Sequence, residues 1–94
     1  MSMFDLTGFQ RDLLYVIAGA DRPSGQQIKE SISEDVGEVN HGRLYPNLDT
    51  LVEKELVVKG QHDRRTNFYQ ISDVGREAIH ERRKWEDQYV AFDE

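Results

Sequence analysis

Asn40-His41-Gly42-Arg43-Leu44-Tyr45-Pro46-Asn47-Leu48-Asp49-Thr50-Leu51-Val52 is the stretch whose reading decides the fold. Leu44, Leu48, Leu51 and Val52 recur at the spacing of one helical face, and Asn40 is a strong N-cap, so a helix is predicted from Asn40 to about Lys54. Pro46 removes one amide donor and crowds the carbonyl four residues earlier; that residue is Gly42, which eases the adjustment. The lost bond lies near the N-terminal end, where amides lack helical partners in any case. Asn40, Arg43, Asn47, Thr50 and Lys54 recur at steps of three and four and read as one polar stripe opposite the leucines.

Upstream of this helix, Thr7 with Gln10 and Ser24 with Gln27 have capping-box spacing. Phe9, Leu13, Val16 and Ile17 follow the first box, and Ile28 and Ile32 the second, so helices are predicted over 7–20 and from Ser24 to about Glu34. Asp21-Arg22-Pro23-Ser24-Gly25 is the turn between them. Downstream, the period changes from 3.6 to 2. Leu56–Gln61 and Asn67–Ile71 read as two strands, with His62-Asp63-Arg64-Arg65-Thr66 as the tip of a hairpin. Ser72 then caps a last helix bearing Val74, Ala78, Trp85, Tyr89 and Phe92. The order helix, helix, helix, hairpin, helix is that of a winged helix-turn-helix: mainly α with a small β-hairpin, the third helix entering a DNA groove.

Ninety-four residues suit one small domain, divided into a DNA-binding part, 1–72, and a dimerisation helix, 73–94. The net charge of −6 speaks against loose adhesion to nucleic acid, yet it is uneven. Residues 40–72 hold five Lys and Arg against four Asp and Glu, leaving −7 for the rest of the chain. There is no cysteine, hence no disulfide or thiol switch, and the two sulfurs are those of Met1 and Met3. No apolar run reaches the ~18 residues of a membrane span, and the acidic start lacks a signal-peptide pattern, so a cytoplasmic protein is expected.

Arg forks onto guanine O6 and N7, Asn onto adenine N6 and N7, and Thr or Lys meets phosphate or the thymine methyl. Arg43 and Asn47 are therefore the expected base readers, with His41 and Tyr45 beside them and Ser24, Asn40 and Thr50 completing the helical contacts. Arg64, Arg65 and Thr66 at the hairpin tip suit phosphates or a narrow minor groove. The apolar stripe of the last helix outruns a small three-helix core. Phe9, Leu13, Trp85, Tyr89 and Phe92 are expected at the interface of a two-fold dimer, with recognition helices roughly 34 Å apart on an inverted repeat. His41, His62 and His80 lack metal-ligand spacing, and no nucleophile constellation or phosphate loop is present. No enzyme, cofactor or metal site is expected. The other class considered is a winged-helix module that binds protein through the same surface.

Gly42-Arg43-Leu44-Tyr45-Pro46-Asn47-Leu48, then Leu56-Val57, Arg65, Tyr69 and Ser72-Asp73-Val74-Gly75, resemble the PadR-type winged-helix transcriptional regulators. His41–Asn47 and Asp63–Asn67 are most similar to the short PadR-like regulators of halophilic archaea, of the oxidative-stress-response type. The resemblance implies a homodimer through the first and last helices, double-stranded DNA on the third helix and wing, and adaptation to high salt, with inorganic cations held between protein and DNA. Glu55 stands where the family usually has glycine, and Ser72 where it has threonine.

Overall fold

The computed structural model describes residues 3–90. A 3-10 turn, Met3–Asp5, leads into α1 (Gly8–Ala18), α2 (Gly25–Val36) and α3 (His41–Glu53). The antiparallel strands β1 (Val57–Gln61) and β2 (Asn67–Ile71) follow, in the register Val57 to Ile71 and Gly60 to Phe68, and α4 (Asp73–Tyr89) completes the chain. This is the expected winged-helix order, and each helix start was legible. Thr7 and Gln10 form a full capping box on α1, Ser24 and Gln27 another on α2, Asn40 accepts from the Arg43 amide, and Ser72 accepts from the Gly75 amide.

Leu44, Leu48 and Leu51 of α3 are fully enclosed, packed with Leu13, Leu14 and Ile17 of α1, Ile28 and Ile32 of α2, and Leu56 and Tyr69 of the hairpin. Each such leucine contributes on the order of 2–3 kcal/mol by leaving water. Met3 and Leu6 are also buried and close the core beneath α4. Sequence reading took Met3 only as a sulfur, because one apolar residue ahead of a cap has no period to betray it.

Three hydrogen bonds make the corner from α3 into the hairpin. The Leu56 amide donates to Leu51 carbonyl at 3.1 Å and the Glu55 amide to Val52 carbonyl at 3.0 Å, the two bonds of a Schellman ending. Glu55 accordingly takes the left-handed conformation, φ +64°, that the expected glycine would have taken without a side-chain penalty. The Ser72 hydroxyl donates to the Glu55 carbonyl at 2.6 Å, tying the start of α4 to this corner. Gly75 sits directly against the Leu56 carbonyl, where a β-carbon would collide with main chain. The Ser-x-x-Gly pattern thus has two jobs, capping α4 and letting it approach β1.

The wing is fastened at both ends. At its base, the Tyr69 amide donates to the Pro23 carbonyl at 2.9 Å, and Ser24 pairs with Phe68 in an isolated antiparallel bridge. At its tip, one Asp63 carboxylate oxygen accepts from the amides of Arg65 (2.8 Å) and Thr66 (2.9 Å), while the Thr66 carbonyl accepts from the His62 amide (2.9 Å). The two backbone amides hold the Asp63 carboxyl below the usual aspartate range.

Two outcomes are expected. Urea denaturation should show Gly75→Ala destabilised by about 1–3 kcal/mol, from overpacking against main chain, and Glu55→Gly stabilised by roughly 0.5–1 kcal/mol, from relief of the left-handed residue less the entropy of glycine. A destabilised Glu55→Gly would contradict the corner as described. Because the folded pKa of Asp63 is depressed, its bonds are in place above the ordinary carboxylate range and are lost as pH falls through the folded value. The Arg65 and Thr66 amide resonances should therefore titrate with a midpoint below about 3.9 and stop titrating in Asp63→Ala.

Candidate nucleic-acid interface

The helical wheel of α3 sorts its polar residues into two groups. At 100° per residue, Asn47 lies only about 60° from Leu44, so the stripe Asn40, Arg43, Asn47, Thr50 flanks the leucines instead of opposing them. The structure follows this arithmetic. Asn47 is half-buried; its Oδ1 accepts from Gln10 Nε2 at 2.9 Å and its Nδ2 donates to the Arg43 carbonyl at 2.7 Å. Thr50 donates its hydroxyl to the Pro46 carbonyl at 3.1 Å, and Asn40 is engaged as the cap. These three side chains hold the helix. The expectation of a stripe opposite the core is corrected accordingly.

His41, Gly42, Arg43, Tyr45 and Pro46 are all exposed, so the N-terminal half of α3 is the part open to a partner. The His41 and Tyr45 rings meet edge to face at 5.4 Å. The Arg43 guanidinium lies over the Phe9 ring, 3.9 Å from its centroid. Farther along, Asp49 and Glu53 carry acid on the exposed side of the C-terminal half.

Tyr45 also borders an open groove of about 310 Å3 lined by Ser24, Gly25, Gln26, Arg65, Thr66, Asn67 and Tyr69. Three elements meet there: the first turn of α2, the middle of α3 and the wing. Gly25 leaves room for the Tyr45 ring, which would have to shift if a β-carbon projected there. No carboxylate lines the groove, and the first-turn amides of α2 add partial positive charge. The Tyr69 phenol is held above its usual pKa, chiefly by burial and secondarily by Asp49 and Tyr45.

At the wing tip, one Asp63 carboxylate oxygen accepts from backbone amides, and neither Arg64 nor Arg65 forms an ion pair with Asp63. Among the described residues the single ion pair is Arg82 with Glu86, at 3.3 Å, which leaves both wing guanidinium groups unpaired at an exposed tip. Of the expected contact residues, Ser24, Tyr45, Arg65 and Thr66 share one groove, His41 packs on Tyr45 beside it, Arg43 lies apart over Phe9, and Arg64 is exposed at the wing tip.

The expected dimer residues divide. Leu13 is fully enclosed in the protomer's own core, with Leu14 and Ile17, and has no surface to offer; that expectation is corrected. Phe9 is half-buried beneath Arg43. Trp85 meets Phe4 edge to face at 5.1 Å and Tyr89 at 5.1 Å, with Arg82 4.5 Å above its ring. Tyr89 is 71% exposed on the part of α4 that runs past the core. Phe92 lies outside the described residues.

Sequence reasoning missed two contacts. Gln10 was legible as a capping residue but not as the donor to Asn47, since nothing local marks a bond across 37 positions. Arg22, at φ +47°, places its guanidinium over Phe68, and its carbonyl faces His62 Nε2 at 3.4 Å, linking the α1–α2 turn to the wing. Among the described residues no helix is long and apolar enough to cross a membrane, and no group of His, Asp and Glu is arranged to hold a metal ion.

The family of transcriptional regulators described as PadR-like matches residues 13–81. H. salinarum RosR, from crystals grown with NaBr, is 44% identical over 96% of this chain and 82% of its own, with a TM-score of 0.87. The RosR complex designated hsRosR-S1 is 45% identical over 95% of this chain and 80% of its own, TM-score 0.86. Bacillus subtilis PadR in complex with operator DNA shares the fold at 19% identity, over 94% of this chain and 52% of its own, TM-score 0.69. No curated protein sequence matches. With the family model matching residues 13–81 and RosR 45% identical over 95% of the chain, the chain belongs to the PadR-like family of transcriptional regulators.

Proposed function

We propose that this regulator binds an inverted-repeat operator as a homodimer, with the N-terminal half of α3 in the major groove and the wing on the flanking backbone. The observation that carries the reading is the carboxylate-free groove in which Tyr45 of α3 meets Ser24, Arg65 and Thr66, with exposed His41 packed on Tyr45 and exposed Arg43 on the neighbouring α1 flank of the same helix. Arg43 is the base reader, suited to guanine. His41 and Tyr45 support it, and Ser24, Arg64, Arg65 and Thr66 take phosphates or the minor groove. Asn47 is reassigned from base reader to support, and Asn40 and Thr50 from helical DNA contacts to supports, because their side chains are engaged within the protein. Gly42 and Pro46 keep the outer face of the docking half lean, while Asp49 and Glu53 turn the other half away from phosphate.

The second subunit is placed on the overhang of α4, through Trp85 and Tyr89, with α1 beside it. Residues 73–94 then serve dimerisation and 1–72 serve DNA. The likeness to H. salinarum RosR supports a haloarchaeal setting; the reading extends to a salt-adapted cytoplasmic protein without catalytic or cofactor chemistry, in which cations between acidic flanks and phosphate replace part of the counterion release. B. subtilis PadR with operator DNA supports the choice of partner.

Fluorescence anisotropy against a duplex selected from a random pool, and against a scrambled duplex, tests these roles. Arg43→Ala should reduce discrimination between the two by about 1–3 kcal/mol, whereas Arg65→Ala should weaken both nearly alike. Equal loss for both variants on all DNA would contradict the assignment. No binding at any salt by a folded dimer would favour a protein partner on the same surface. With two wing arginines per subunit as the main phosphate contacts, the slope of log K against log salt should be no steeper than about −4. A steep collapse between moderate and molar KCl would count against the salt-adapted reading.

A further inference from the structure

Arg43 is held by α1 at both of its ends. Its guanidinium lies flat enough over Phe9 for a centroid distance of 3.9 Å, and its carbonyl is the last member of a chain of side-chain bonds that starts in the α1 cap. In that chain the Thr7 amide donates to Gln10 Oε1 at 3.1 Å, Gln10 Nε2 donates to Asn47 Oδ1 at 2.9 Å, and Asn47 Nδ2 donates to the Arg43 carbonyl at 2.7 Å. Gln10 is the one buried polar side chain among the described residues, 9% exposed, so neither of its bonds is readily exchanged for water.

We infer that Phe9 and Gln10 are positioning residues for DNA selectivity: the first turn of α1 orients Arg43, and with it the reading face of α3, without touching DNA. The inference rests on the reading of α3 as the groove helix. Stacking takes the face of a guanidinium and leaves its in-plane N–H donors free, so an arginine parked on an aromatic ring keeps the fork that guanine O6 and N7 require. An unstacked arginine must lose its rotamer freedom on binding, and that cost falls on the cognate contact more than on a phosphate contact, which any geometry satisfies. The Gln10–Asn47 bridge fixes the angular setting of α3 by the same means, since leaving either amide unpaired in a half-buried joint is unfavourable. Phe9 is thereby given a role within the protomer that does not depend on a second subunit.

The test measures the ratio of affinities for the selected and scrambled duplexes, which a change in the folded fraction leaves unaltered. Phe9→Leu should lower this ratio about 2- to 5-fold, the strength of an exposed cation–π contact, while Phe9→Tyr, which keeps the ring face, should preserve it. Gln10→Met should lower the ratio in the same direction. With Arg43→Ala already present, Phe9→Leu should have little further effect, because the residue it positions is gone. A Phe9→Leu protein as selective as wild type, or an undiminished loss in the Arg43→Ala background, would overturn the inference and leave the groove reading intact. If the wild-type protein selects no sequence at all, the groove reading itself falls, and the inference with it.

Discussion

Everything outside the core is placed by the burial of one face of α3. Leu44, Leu48 and Leu51 are fully enclosed, and a helix of 13 residues held at three points on one side cannot rotate about its axis without exposing at least one of them. Their opposite side is therefore fixed toward solvent, and the flanks are fixed toward α1 on one side and α2 with the wing on the other. Arg43 and Asn47 fall on the α1 flank, His41 and Tyr45 on the α2 flank. The chemistry of each residue follows from which flank it occupies.

The second dependence is the corner at Glu55 and Leu56. A helix, a hairpin and a further helix meet there within a few residues, and the Schellman bonds, the Ser72 hydroxyl and the bare α-carbon of Gly75 allow all three to share the space. That corner sets the departure angle of the hairpin, and the Pro23–Tyr69 bond with the Arg22–Phe68 contact fixes its far side. The Asp63 turn then places two guanidinium groups at the tip, neither of them in an ion pair with its carboxylate. With two arginines to one aspartate, the tip of an acidic protein carries a net positive charge.

Much of this was legible because it is local. Capping boxes at Thr7 and Ser24, the caps at Asn40 and Ser72, and the change of period at Leu56 each depend on residues within four positions of one another. The unusual cap at Glu55 was also foreseen, from a missing glycine. What escaped was set by rotation and by distance along the chain. Treating three- and four-residue steps as the face opposite the leucines overlooked that Asn47 and Leu44 are nearly neighbours around the helix, so a half-buried support was taken for a reader. Leu13 shares its period with half-buried Phe9, and no pattern in α1 alone says which of them the core will enclose fully. Met3 and the Gln10–Asn47 bond become visible only when distant segments are brought together.

The uneven charge acquires a physical sense in this arrangement. An acidic body weakens contact with DNA of arbitrary sequence, and the open N-terminal half of α3 supplies the short-range bonds that a cognate site can reward. The central claim, that Arg43 reads guanine from the major groove, is tested most directly by methylation interference on the selected duplex. Methylation of guanine N7 should block the wild-type protein at one guanine in each half-site, about ten base pairs apart, and should lose that effect when Arg43→Ala is bound at higher concentration. Methylation without effect on the wild-type protein, or an identical pattern for both proteins, would contradict it.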